Sequence, residues 1–231
     1  MQAQIANNTL NNAFFKIAEK LATEGCSAKD LSVKLLDLGD FFDKKEEPGC
    51  AEDCYRASID VLDQAEQSDR IDPSRDLPSA LNRYASALTR NGHQKEAVAI
   101  RQRALSVVEA SLGQEHLNSL TAANALAQLY FELKNFRAAE PLFRRLVKIK
   151  RPQLRCSPEE INSSPGSDGV KLAVMVDRLA DCMNALGEPA KALPLYSEAF
   201  EILAAVRGFH LEANDILRKY EALRRGDTVD S

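Results

Sequence analysis

One pattern of small residues recurs four times along this chain and constrains its fold before any other feature. Ala51, Ala97, Ala139 and Ala192 each follow an earlier small residue, Gly39, Ala85, Ala127 and Ala180, by the same twelve positions. Three residues after each Ala stands Cys54, Ile100, Leu142 or Leu195. Eight residues after it stands Ile59, Leu105, Val147 or Phe200, and Leu38, Tyr84, Leu126 or Leu179 precedes each early small residue. Self-similarity of this kind means that one supersecondary unit is used repeatedly.

The unit is a helical hairpin. In the third copy, Ala123, Leu126, Ala127 and Tyr130 fall on one face of a helix. Lys134-Asn135 interrupts that period, and Phe136, Ala139, Leu142, Phe143, Leu146 and Val147 then lay down a second face. Two helices with so short a break run antiparallel and pack on each other. Small residues at 127 and 139 let the backbones approach closely, and Tyr130 with Phe143 fills the space above them.

These residues resemble the tetratricopeptide repeat, whose first helix carries Leu, a small residue and Tyr, and whose second carries Ala, an aromatic and Ala. The third copy matches with Leu126-Ala127, Tyr130, Ala139 and Phe143, Leu146 replacing the last Ala. The fourth has Leu179-Ala180, Met183, Gly187, Ala192, Tyr196 and Ala199. The second has Tyr84-Ala85, Leu88, Gly92, Ala97, Arg101 and Ala104, with Arg101 where an aromatic belongs. The first has Leu38-Gly39, Phe42, Ala51, Tyr55 and Ser58. The segments Leu112 to His116, Asn124 to Ala127 and Ala139 to Phe143 look like the long-period repeats of kinesin light chains, although Leu117 replaces a usual Pro and Ala125 a usual Asn. The resemblance covers roughly Leu31 to Gly208. It implies an all-α, right-handed superhelical solenoid of antiparallel helix pairs with terminal capping helices.

Three segments are expected along the chain. Residues 1–30 form an N-terminal amphipathic capping helix, with Leu10, Phe14, Ile17 and Leu21 on one face. Residues 31–208 form four helix-pair repeats, starting near Ser32, Pro78, Leu120 and Ala173, with a loop insertion at about 151–169. Residues 209–231 form a C-terminal capping helix, apolar at Ile216, Leu217, Tyr220 and Leu223 and surrounded by Arg218, Lys219, Arg224 and Arg225, followed by a tail. Pro141 and Pro194 share one repeat position near the start of the second helix, where no break is expected. About ten helices and no sheet follow from this layout.

Composition narrows the function. A formal net charge of −4 with both signs mixed does not suit a bulk nucleic-acid binder. Arg144, Arg145, Lys148, Lys150, Arg151 and Arg155 read as a solvated helix face with cations near its end. The N-terminal stretch is too interrupted for a signal peptide or a membrane span. Five Cys in no regular framework suit a reducing, cytoplasmic setting. Cys54 and Cys182 occupy core slots, so packing rather than metal binding is expected of them. His93, His116 and His210 have no Cys or carboxylate at a recognisable catalytic spacing, and the chain has no phosphate-binding Gly loop and no nucleophile elbow. Neither a cofactor nor a metal nor an enzyme activity is expected.

The resemblance implies that the first helix of each pair lines a concave groove, with its second, fifth, ninth and twelfth positions facing a ligand. For the second copy these are Ser79, Asn82, Ser86 and Thr89; for the third, Thr121, Asn124, Gln128 and Phe131; for the fourth, Asp177, Asp181 and Asn184, with Arg178 beside them. The first offers Leu36, Asp40 and Asp43. Asn82 and Asn124 repeat one position and can pair with a peptide backbone of any sequence. Asp177 and Asp181 would face a basic side chain, and with Asp40 would repel an anion. The reading is a non-enzymatic adaptor that holds an extended or helical segment of a protein partner on Asn82, Ser86, Asn124, Gln128, Phe131, Asp177, Arg178 and Asp181. The alternative is a structural module that self-assembles through its N-terminal helix and outer faces.

Overall fold

The computed structural model describes residues 27–66, 73–154, 168–206 and 210–226. All regular structure among them is helical. The helices are α1 (Ala28–Lys44), α2 (Pro48–Glu66), α3 (Pro73–Arg90), α4 (Gln94–Leu112), α5 (Leu117–Glu132), α6 (Phe136–Leu154), α7 (Asp168–Ala185), α8 (Pro189–Ala204) and α9 (His210–Arg225). Residues 1–26 of the expected N-terminal capping helix lie outside the described residues, and Ala28 to Asp30 belong to α1 instead. Each pair begins a few residues ahead of the starts read from periodicity, as α3 shows with Pro73 as its first residue, where a missing N–H costs nothing. Helix α6 runs on to Leu154 and α7 begins at Asp168, so both ends of the segment read as a loop at 151–169 are helical.

Two compact units divide the chain, Met1–Ala122 and Ala123–Ser231. In the first, α1 packs on α2, α3 on α4, and α3 also on α2. Gly39 is buried, and a Cβ added there would stand 2.7 Å from Cε1 of Tyr55, so this crossing excludes even a methyl group. Ala85, Ala51 and Ala97 are fully buried. Ser58 stands where other copies have Ala104, Leu146 or Ala199. Its hydroxyl is buried 2.7 Å from that of Ser32, so a polar group in an apolar slot brings its own partner. Ser27 caps α1, accepting from the Asp30 N–H at 3.1 Å.

In the second unit, α6 packs on α7, α7 on α8 and α8 on α9. Ala127, Ala139, Ala180 and Ala192 are fully buried, matching the small-residue slots of the first unit. Tyr196 and Phe143 fill the space over them. Pro141 and Pro194 lie on exposed helix faces and neither interrupts its helix.

All four hairpins turn in the same way. Seven residues after each small residue the chain adopts a left-handed conformation, at Glu46 (φ 58°), Gly92 (φ 82°), Lys134 (φ 55°) and Gly187 (φ 79°). The next N–H closes back on the helix it has left: Glu47 to Phe42 at 3.0 Å, His93 to Leu88 at 2.8 Å, Asn135 to Tyr130 at 2.8 Å and Glu188 to Met183 at 2.9 Å. This Schellman closure satisfies a carbonyl that the helix end would leave unpaired. Glycine fits the left-handed position in two copies, and Glu46 and Lys134 hold it against their own preference.

Candidate functional site

The first helices carry the side chains expected to meet a ligand, and their period is kept. Val33, Ser79, Thr121 and Val174, at the second position, are all exposed. Asn82 and Asn124, at the fifth, are half-buried, whereas Leu36 is in the core.

In the first unit the charged positions are engaged internally. Asp40 accepts from the Tyr55 hydroxyl at 2.7 Å and from Nη1 of Arg83 at 2.7 Å. Asp43 pairs with Arg90. Burial and the neighbouring carboxylates, Asp40 first among them, push the Tyr55 hydroxyl above the usual phenol range. Ser86 occupies the slot of Asp40, and Arg101 the slot of Tyr55. Arg101 Nη2 stands 3.4 Å from the Ser86 hydroxyl, which itself donates to the Asn82 carbonyl at 2.9 Å. The residue that breaks the aromatic pattern therefore spans the same two positions and donates in the same direction as Tyr55.

At the turn after α3, Glu52 accepts from Asn91 Nδ2 at 2.7 Å and lies 3.2 Å from His93 Nδ1. Sequence spacing gave no hint of this carboxylate, which is 41 residues away and brought over by the packing of α2 on the following pair. The three groups tie the turn to α2.

In the second unit, Asn124, Gln128 and Phe131 lie at i, i+4 and i+7 of α5 and share a face. Phe131 meets Phe136 edge-on at 5.5 Å and Phe143 at 6.3 Å. Its ring also carries the Arg178 guanidinium, 4.4 Å from the centroid, reaching over from α7. Gln128 is exposed, and Asn124 has its Oδ1 buried with no hydrogen-bond partner. The structure thus brings four of the eight named residues together: Asn124, Gln128, Phe131 and Arg178.

Asp177 and Asp181 behave otherwise. Lys219 of α9 places Nζ 3.0 and 3.1 Å from the two Asp177 oxygens and 3.1 Å from both Asp181 oxygens. Asp181 also accepts from the Tyr196 hydroxyl at 2.7 Å. Burial, and then the charge of Asp181, holds the Asp177 carboxyl above the usual range. Burial pulls the Lys219 ammonium down, and Asp177 and Asp181 together outweigh it and hold its pKa above 10.5. The two carboxylates expected to face a ligand's basic side chain are instead engaged by the chain's own lysine, and Asp40 is engaged by Arg83.

Sequence reasoning placed Lys219 among the outward charges of α9. A usable signal was there, because Lys219 is three residues after buried Ile216 and six after buried Ala213. A lysine flanking the apolar stripe can lay its stem along it and turn its head inward.

The thiols follow the packing reading. Cys54 and Cys182 are buried, and burial, their first cause, pushes both up to about 12. Phe41, in the slot of Cys182, is by contrast 53% exposed, with an edge contact to Phe42. No group of three His, Cys, Asp or Glu side chains that could hold a metal occurs among the described residues. No helix among them is long and apolar enough to cross a membrane.

Stacked antiparallel pairs with a small residue at each crossing define an all-α helical-repeat protein. The particular repeat is the tetratricopeptide repeat, whose family model matches residues 76–151. Solved structures of similar fold include a Podosopora anserina protein of nearly identical TPR-like repeats, named for the kinesin light chain. It is 17% identical, with a TM-score of 0.56 over 87% of this chain and 97% of that one. Another is BtubC (BKLC) from P. vanneervenii, 18% identical, with a TM-score of 0.53 over 97% of this chain and 94% of that one. No curated protein sequence matches the chain.

Proposed function

We propose that the protein is a non-enzymatic adaptor whose first helices hold an extended or helical segment of another protein. Repeats of this family generally serve as protein-interaction scaffolds. The observation that carries the reading for this chain is the face of α5. Asn124, Gln128 and Phe131 run along it, with the Phe131 ring contacted by Phe136, Phe143 and Arg178. A fixed aromatic next to amide groups gives an apolar anchor beside sequence-tolerant hydrogen bonds. Asn82 and Ser86 offer similar polar groups on α3. Asp177 and Asp181 are not part of this surface, since Lys219 satisfies them. The free thiols of Cys50, Cys54 and Cys182 suit a reducing compartment.

The test is capture of partners from the native cell by the purified protein, compared with Phe131→Ala, Gln128→Ala and Asn124→Ala. A partner whose recovery falls in all three, while circular dichroism keeps its helical signal, supports the reading. Equal recovery on all three proteins would overturn it. Loss of self-association instead would favour the assembly reading.

A further inference from the structure

On the side of the second unit formed by its second helices, a trough of about 600 Å³ opens between α6, α7 and α8. Arg144, Val147, Lys148, Arg151 and Pro152 form its α6 wall at helical spacing. Leu179 and Met183 of α7 make the floor, and Lys191, Pro194 and Leu195 of α8 belong to the opposite wall. Val147, Leu179 and Met183 are buried beneath it, and the two prolines stand exposed at its edges. Every charged side chain that lines it is a cation: Arg144, Lys148, Arg151 and Lys191.

The cations differ in their freedom. Arg151 is clamped from behind by Glu198, with Nε at 2.8 Å from one oxygen and Nη2 at 2.7 Å from the other. Arg144 pairs with Glu140 at 2.6 Å and Lys191 with Glu188 at 2.9 Å. Lys148 has no carboxylate partner among the described residues. Each paired glutamate stands outside the lining. The Lys191–Glu188 pair is exposed, and such pairs hold their cations by roughly 0–1 kcal/mol, so Lys191 can share a second carboxylate at little cost.

We propose that this trough is a second docking site, for a protein segment that carries apolar side chains about one helical turn apart with Asp or Glu flanking them. The apolar floor takes the side chains, and the cationic rim takes the carboxylates and sets direction. The volume lies within the roughly 300–1,000 Å³ of sites that hold a small ligand or a few side chains. A membrane does not suit it, because a recessed floor cannot meet a flat lipid surface. The site is separate from the α5 face, so either can fail without the other.

Methionine gives a local reporter. The chain has three Met residues, and of Met175 and Met183 on α7 only Met183 lines the trough. The probe is a short synthetic peptide with leucines one turn apart and glutamates on either side. The full chain carries ¹³C-methyl methionine. Saturable movement of the Met183 methyl resonance, with Met175 still, is the expected result. Lys148→Glu combined with Lys191→Gln should weaken binding about tenfold, as rim charges do when they contribute. Both lysines are exposed, so the fold should persist. Phe131→Ala should leave this binding unchanged. An unmoved Met183 resonance would overturn the proposal. So would equal affinity for the same peptide with Gln in place of Glu, or displacement of the peptide by phosphatidylserine vesicles.

Discussion

The Tyr196 hydroxyl donates to Asp181 at 2.7 Å, and Tyr55 donates to Asp40 at the same distance from the same repeat positions. In each case a cation from a later helix completes the set, Arg83 at Asp40 and Lys219 at Asp181. A tyrosine and an aspartate fifteen residues apart thus form one device, used in the first and fourth copies. In the second copy Arg101 and Ser86 occupy these positions, and in the third Phe143 and Gln128.

Removing the cation of the fourth copy should expose the cost of its carboxylates. Lys219→Met removes the cation that bridges Asp177 and Asp181 and leaves Asp177 only the weaker influence of Arg178. Lys219 is 23% exposed, so the loss near neutral pH should be about 3 kcal/mol, the low end for breaking a buried pair. In the native protein Asp177 has its folded pKa raised, so its favourable contribution lies at pH values below 3.8 and is lost as pH rises through the folded value. Without Lys219 the Asp177 carboxyl shifts further the same way, and the deficit should shrink on acidification. Urea melts at neutral and acidic pH decide it. A deficit that does not change with pH would mean lost packing rather than lost charge.

The alkaline side follows from the same lysine. Its folded pKa is raised, so its contribution is complete below 10.5 and is lost as pH rises through the folded value. Native protein should lose stability there faster than Lys219→Met. Parallel alkaline melting curves would refute this.

The helix crossing in the first copy should reject a single methyl. Gly39→Ala puts a Cβ 2.7 Å from the Tyr55 ring, and overpacking of this kind costs about 1–3 kcal/mol. Combining it with Tyr55→Leu should recover part of the loss. Thermal melts of both singles and the double measure the coupling, and purely additive losses would show that the ring is not the obstacle.

The left-handed turns should respond in the opposite sense. Lys134→Gly removes the strain of a non-glycine residue at φ 55° and should raise stability by up to about 1 kcal/mol. Gly92→Ala should lower it by a similar amount. A Cβ at Gly92 meets nothing within 4 Å, so backbone conformation alone is tested. Denaturant midpoints are the measurement, and a fall for Lys134→Gly would sink the argument.

Cys54 and Cys182 should react slowly with a thiol reagent in the native protein and fast in denaturant. Both are buried, and at neutral pH thiols pushed up to about 12 hold little thiolate. Cys50, only half-buried, should react sooner. Equal native rates for all three would contradict the packing assignment.

The helix crossings were legible because each is recorded at single positions. Gly39 or Ala127 must be small whatever surrounds it, and a fixed spacing exposes the rule. The ion pairs were not. Lys219 reaches Asp181 across 38 residues and Arg83 reaches Asp40 across 43, and only the packing of one pair on the next sets which long side chain arrives. The candidate face was legible in part. Helical spacing put Asn124, Gln128 and Phe131 together, whereas the seat of Arg178 on Phe131 depends on α7 lying beside α5. The same spacing named Asp177 and Asp181 but could not show that they were already occupied.

The invariant turn has a consequence for how such a chain can change its length. Within a pair, twelve residues separate the small residues every time, and the closing N–H bond fixes both helix ends. From one pair to the next, the small residues are 46, 42 and 53 apart. A one-residue insertion inside a pair rotates the second helix by about 100° and turns its buried face outward. The same insertion between pairs meets no such closure. Length variants selected from a random insertion library should therefore cluster in the joints and spare the hairpins, leaving each pair a unit of constant dimensions joined by tolerant seams.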